Sequence, residues 1–305
     1  MATNKPDFMA RNFPHTFHLH NNIERFPVGA ALEIAMIDAG WRREYSADGA
    51  DVVFFYGQKG EELLEIDRLR RDSPTTCPVI IEYGWFLRGG RGAYSEAGCF
   101  QICAGALNSP IGIDSIFERE KYEVAFEAWR RFDLPIVDGV DMRGQSALVL
   151  GQVPEDSQHN LSQYELEHWL GQKCNLLQKL GYKEILFRPH PSAQHLTVEG
   201  VEKLDHCQPL TSHLSRVDTA VCYNSSAGIE AMRLGKRVIC DHSAFYYPYA
   251  EDLRDKKELF ARLAVSQWEV SELFEGADWV APIWIMLAVK EWMARLGISN
   301  RGRLW

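Results

Sequence analysis

The chain has 305 residues, 46% hydrophobic and 25% charged, with a formal charge of −9. That length suits two domains of roughly 150 residues each, and the composition is that of an ordinary soluble globular protein. Residues 1–145 hold 16 Lys and Arg against 22 Asp and Glu, and the rest 17 against 20, so neither half is a basic nucleic-acid domain. The arginines at Arg42/Arg43, Arg68/Arg70/Arg71, Arg88/Arg91 and Arg130/Arg131 are local clusters, read mainly as solvated surface charge. Met1 to Asn12 lacks the apolar core of a signal peptide. The longest apolar stretch, Trp279 to Val289, is 11 residues with Pro282 inside it, too short for a bilayer. Seven cysteines without a C-x-x-C pair fit reduced thiols in a cytoplasmic protein.

Strands and helices alternate, which predicts an α/β class with parallel sheets. In the first half, Thr16–His20 is a strand leading into the polar loop His20-Asn21-Asn22. Pro27 opens a helix over Val28–Ala39 that Gly40 ends. Val52–Tyr56 is a buried strand stopped by Gly57, Glu61–Arg71 an amphipathic helix, and Val79–Ile81 the next strand. Glu120–Arg131 reads as a further helix. A second unit starts near Ser146, with the boundary over Asp141–Ser146. It has strands at Ala147–Leu150, Glu184–Arg188, Thr219–Tyr223 and Arg237–Cys240, and helices at Tyr164–Leu180 and Gly228–Leu234. A helix over Trp279–Leu296 closes the chain. The expectation is one domain over 1–145, a second over 146–278 and a terminal helix over 279–305 that can return to the first domain. Two Rossmann-like domains would then face a cleft.

Polar residues that follow a buried strand and open a helix sit where open α/β sheets bind phosphates and nucleotides. Two such places stand out. Ser225 and Ser226 precede a helix that Gly228 opens, so hydroxyls and backbone N–H groups converge on the positive end of its dipole. The plainer role for either serine is the helix cap. Gly228 allows a ligand close to the backbone, and Glu230, one turn in, can accept from ribose hydroxyls or lie on the surface. In Arg188-Pro189-His190-Pro191 two prolines lock the backbone around an imidazole that can donate to a phosphate. Arg188 is an adjacent cation whose side chain can face either way.

The order Arg-Pro-His-Pro, then Ser-Ser-x-Gly-x-Glu-Ala with Gly-Lys-x-Val, resembles the donor half of GT-B glycosyltransferases over residues 147–245. It is similar above all to capsule-polysaccharide and sialyltransferase-like groups. The resemblance implies a nucleotide sugar, UDP- or CMP-linked, as donor of a hexosyl, pentosyl, Kdo or sialyl group. It places His190 at the phosphate or nucleotide, Ser225 and Ser226 at the phosphate, and Glu230 at the ribose. It also sets Gln152, on the loop Gly151-Gln152-Val153-Pro154-Glu155-Asp156, at the edge of the nucleotide, the plainer reading of that loop being a turn built on Pro154.

The same families carry an acidic residue before a glycine in the first domain, and Ile81-Glu82-Tyr83-Gly84-Trp85-Phe86-Leu87-Arg88 matches that pattern. A carboxylate at a strand end can deprotonate an attacking hydroxyl, so Glu82 is either that base or a structural glutamate. Tyr83, Gly84, Trp85, Arg88 and Arg91 make up the adjoining loop, which either orders on acceptor or phosphate or is an ordinary surface loop. No Asp-x-Asp signature calls for a metal. The acceptor is a surface glycan or a hydroxymethylated pyrimidine in DNA, since short phage-encoded glycosyltransferases share the Gly-Gln-x-Pro-x-Asp and Arg-Pro-His-Pro patterns. A flipped base would need aromatic support, for which Tyr83, Trp85 and Phe86 are the candidates. A nucleotide-sugar epimerase of the same fold and a non-catalytic nucleotide-binding module are the competing classes.

Overall fold

A computed structural model describes residues 16–87, 98–107, 129–141, 143–156, 158–251 and 255–274, together with Ile285 and Val289. Arg88, Arg91, most of the expected helix over Glu120–Arg131 and nearly all of the one over Trp279–Leu296 lie outside these residues. The chain divides into two compact units, one of Met1–Phe132 with Phe260–Trp305 and one of Asp133–Leu259. The sequence reading set its boundaries at 145/146 and 278/279.

The first unit opens with β1 (Thr16–Leu19), α1 (Pro27–Asp38), β2 (Arg42–Arg43), β3 (Val52–Tyr56), α2 (Glu61–Asp72), β4 (Cys77–Tyr83) and β5 (Cys99–Ala104). β2, β1, β3 and β4 are parallel, while β5 runs antiparallel to β4. Central strands covered on both faces read as unbroken apolar runs, and Val52-Val53-Phe54-Phe55 is one. Val52 and Phe54 join a core with Val28, Leu32 and Met36 of α1, and Val53 and Phe55 join another with Ile66 and Leu69 of α2.

The second unit contains β6 (Ser146–Leu150), α3 (Gln163–Lys179), β7 (Glu184–Arg188), β8 (Glu202–Lys203) and the short α4 (Leu210–Leu214). Then come β9 (Thr219–Cys222), α5 (Ser226–Arg233), β10 (Arg237–Cys240) and α6 (Tyr247–Glu251). All its strands are parallel, in the order β10-β9-β6-β7-β8. A capping box between Ser162 and Glu165 starts α3. Gly181, at φ +86°, follows the helix end in the left-handed conformation that glycine tolerates.

After α7 (Lys256–Ser266), β11 (Gln267–Glu269) adds to the first unit's sheet antiparallel to β5, and α8 (Val270–Phe274) packs on α1. Ile285 and Val289 are buried in the same core. Among the described residues no helix is long and apolar enough to cross a membrane.

One buried carboxylate anchors the second sheet. Asp218 is 2% exposed and accepts from the N–H groups of Gln145 and Ser146 and from the Thr219 hydroxyl. Asp218→Asn turns one acceptor into a donor facing those donors, so urea denaturation should show a loss of about 1.5–3 kcal/mol.

Candidate functional site

In the second sheet β6 leads through α3 to β7 on one side, and β9 leads through α5 to β10 on the other. The order of connections therefore reverses between β6 and β9, the place where α/β sheets open a crevice for ligands. Gln152, just after β6, and Asn224, just after β9, fill that position and bind each other reciprocally. Gln152 Nε2 donates to Asn224 Oδ1 at 2.7 Å, and Asn224 N–H donates to Gln152 Oε1 at 2.9 Å. Asn224 Nδ2 also donates to the Gln158 carbonyl, which ties down the loop that follows β6. Both side chains are buried, so their amides hold the crevice in one shape.

Ser225 is the N-cap of α5, its Oγ accepting from Ala227 N–H at 3.2 Å, and Ser226 is the first helical residue. The capping hydroxyl keeps its own proton for donation. The Tyr246 phenol, fully buried, donates to the Ser225 carbonyl at 2.7 Å and fixes the cap from below. Just after β7, His190 lies beside the β6 loop, because Gly151 is packed against its backbone. A methyl on Gly151 would lie 3.1 Å from the Phe187 ring and 3.3 Å from His190 N. Ser192 N–H donates to His190 Nδ1 at 3.1 Å, which leaves the proton of a neutral ring on Nε2 and makes that nitrogen a donor.

Three other residues of the expected donor site are engaged elsewhere. Arg188 donates to the carbonyls of His206 and Gln208 at 3.0 and 3.1 Å, and so holds the loop before α4. The Glu230 carboxylate is paired with Arg233 in the next turn, and Arg233 in turn reaches the Pro135 carbonyl. Gly228 makes room for protein: a methyl there would lie 2.6 Å from Tyr246 Oη and 2.8 Å from Cys222 Sγ. Gly228→Ala should therefore overpack this contact and cost about 1–3 kcal/mol in thermal or urea unfolding.

In the first unit the reversal falls between β1 and β3, and the polar groups gather there too. Asn22 donates to the Tyr56 carbonyl at 2.7 Å and to Glu62 at 2.9 Å, and His20 stacks on Phe55. Glu82, half-buried near the end of β4, pairs with Gln101 of β5. Its Oε1 accepts from Tyr83 N–H at 3.0 Å, and Oε2 lies over Gly57, 3.6 Å from where a methyl on that glycine would be. Burial, and secondarily the Glu82 charge, push the Tyr56 phenol far above its ordinary pKa. The residues after Glu82 turn inward. Tyr83 stacks on Phe100 at 5.8 Å, and Trp85 and Phe86 are each 4% exposed. Gln267 Oε1 accepts from the N–H groups of Trp85 and Phe86, and Gly84 is pressed against the same side chain.

Among the described residues, Asp205, His206 and Cys207 bring possible metal-ligand atoms within 4.8 Å of one another, on the loop that Arg188 holds. Asn224, Tyr246 and Gln267 were not singled out from the sequence. Only Asn224 had a local signal, its place directly before the two serines.

No family model and no curated protein matches the chain. Among solved structures, a Thermosulfurimonas dismutans KpsC β-Kdo 2,4-transferase superposes with a TM-score of 0.56 at 17% identity. It spans 83% of this chain and 90% of that one. A β-Kdo 2,7-transferase KpsC from the same organism gives 0.53 at 15% identity, over 88% and 99% of the two chains. At these identities the likeness is one of fold, and the chain shares that fold with both.

Proposed function

We propose that the chain is a nucleotide-sugar-dependent glycosyltransferase that acts on a glycan hydroxyl, with a Kdo- or sialyl-type sugar as the group transferred. The observation that carries this reading is the second unit's crevice. It gathers the Gln152–Asn224 pair, the capped N-terminus of α5 with Ser225 and Ser226, and His190 with its proton on Nε2. Fixed N–H and O–H donors at a helix N-terminus suit a phosphate. The two solved structures that share the fold are, by name, a β-Kdo 2,4-transferase and a β-Kdo 2,7-transferase. Both observations support the GT-B resemblance of the sequence and a donor of the CMP- or UDP-linked kind.

In this reading the acceptor oxygen forms a bond to the anomeric carbon while the bond from that carbon to the phosphate oxygen breaks. Glu82 takes the hydroxyl proton. His190 Nε2–H, the serine hydroxyls and the helix N-terminus receive the charge that grows on the departing phosphate. Direct displacement inverts the anomeric configuration, and NMR of the product reads it. A retained configuration would exclude the scheme. The burial of Trp85 and Phe86 removes two of the three aromatics that a flipped DNA base would need, which favours the glycan. Incubation with CMP- and UDP-sugars, each with oligosaccharide or hydroxymethylcytosine DNA, tests the assignment. Nucleotide release is expected only with the oligosaccharide. Release with DNA would move the acceptor, and conversion of donor without acceptor would point to an epimerase.

A further inference from the structure

A cavity of about 300 Å³ opens in the second unit, away from the crevice that holds the two serines. It lies beside β10, the edge strand of the sheet, where Asp141 bridges to Lys236, and is walled by Lys236 just before that strand, Val238 within it, Met232 of α5 and Tyr249 of α6. Cys240, at the strand's far end, is four positions along from Lys236, roughly 13 Å of extended chain. The volume falls at the lower bound of small-molecule sites, which combine apolar walls with few fixed polar groups. Here Met232, Val238 and Tyr249 are buried and supply the apolar wall.

The polar groups carry a pattern. Lys256 is committed to the protein, donating to the carbonyls of Val137 and Gly139. Lys257 faces Asp138 at 3.5 Å. The half-buried Lys236 makes no side-chain hydrogen bond or ion pair with the described residues; its charge acts on Asp141, a carboxylate already paired with Arg143, and Asp255 is the other carboxylate of the lining. Lys236 belongs to the Gly-Lys-x-Val segment that stood out in the sequence, and the donor chemistry above gives it no task. The cavity also joins the two ends of this unit. Asp138 and Val140 follow its first residue closely, and Lys256 and Lys257 shortly precede its last.

We propose that this cavity binds a small amphipathic anion, a compact ring or apolar body on the Met232–Val238–Tyr249 wall with one phosphate or carboxylate on Lys236. Such a ligand ties the entry and exit segments of the unit together and stabilises it by mass action. The proposal is independent of the glycosyl-transfer reading, because its site shares no residue with the serine crevice.

Phenyl phosphate is the probe, with inorganic phosphate and phenol as its two halves. Thermal unfolding of the full chain should shift up by at least about 2 °C with phenyl phosphate, and with neither half alone at the same concentration. Lys236→Met should weaken the apparent affinity about tenfold or more, while Ser225→Ala leaves the shift intact. Methionine-methyl NMR of the unsubstituted chain gives a second readout that needs no cation variant. The Met232 resonance, identified by its loss in Met232→Leu, should move on titration. The proposal is overturned by an unmoved Met232 signal, by equal binding of either half, or by a shift that survives in Lys236→Met and is lost in Ser225→Ala.

Discussion

Glu82→Gln should lower kcat by about 10²- to 10⁴-fold, the usual contribution of a positioned general base, and leave the affinity for the nucleotide sugar unchanged. The amide preserves the shape of the side chain and can still accept from Tyr83 N–H, the bond Oε1 makes at 3.0 Å. What it loses is the capacity to take a proton. The carboxylate lies over Gly57, next to the β1–β3 reversal where Asn22, His20 and Tyr56 gather. Steady-state kinetics together with calorimetric titration of the donor separate the two effects. A variant with normal kcat would make Glu82 structural, and a variant that lost donor binding would place it on the wrong substrate.

His190→Ala should cost about 10²- to 10³-fold in kcat, the loss seen when one preorganised donor to developing negative charge is removed. The reason lies in how firmly the ring is held: prolines flank it, Ser192 N–H occupies Nδ1, and Gly151 backs its peptide. Arg188→Ala is the informative neighbour. It releases the carbonyls of His206 and Gln208 and should lower stability by about 1–3 kcal/mol, with transfer at permissive temperature close to normal. Parallel kinetics on the two variants distinguish a catalytic imidazole from a motif whose importance is only structural. Equal losses of kcat in both would remove His190 from the chemistry.

These contrasts show where sequence is legible and where it stops. Strand β3 was readable because Val52–Tyr56 is buried on both faces and has no polar interruption. β5 and β11 were not, since Gln101 interrupts the first, the second is only the three residues Gln267–Glu269, and their antiparallel pairing is a tertiary fact. The motif pair around His190 and Ser225 announced itself because each member ends an apolar strand. Its energetics did not. Strand alternation would set Arg188 and His190, two residues apart, on one face, but β7 ends at Arg188 and the two part: the Arg188 side chain goes to the loop before α4, and His190 stays with the β6 loop. The Gln152–Asn224 pair joins residues far apart in the chain and exists only because β9 lies beside β6. Gly228 looked like a place for ligand and proved to be the space that the Tyr246 phenol occupies.

The central claim is that the second unit's crevice holds the nucleotide of a sugar donor. Calorimetric titration of CMP- and UDP-linked sugars into the wild-type chain and the Ser225→Ala/Ser226→Ala double variant tests it most directly. The account predicts binding of one nucleotide class to the wild type, weakened about tenfold or more by loss of the two hydroxyls, since each hydrogen bond to a charged group contributes about 1.5–3 kcal/mol. Equal affinity in the folded double variant, or no binding of either class to the wild type, would contradict it.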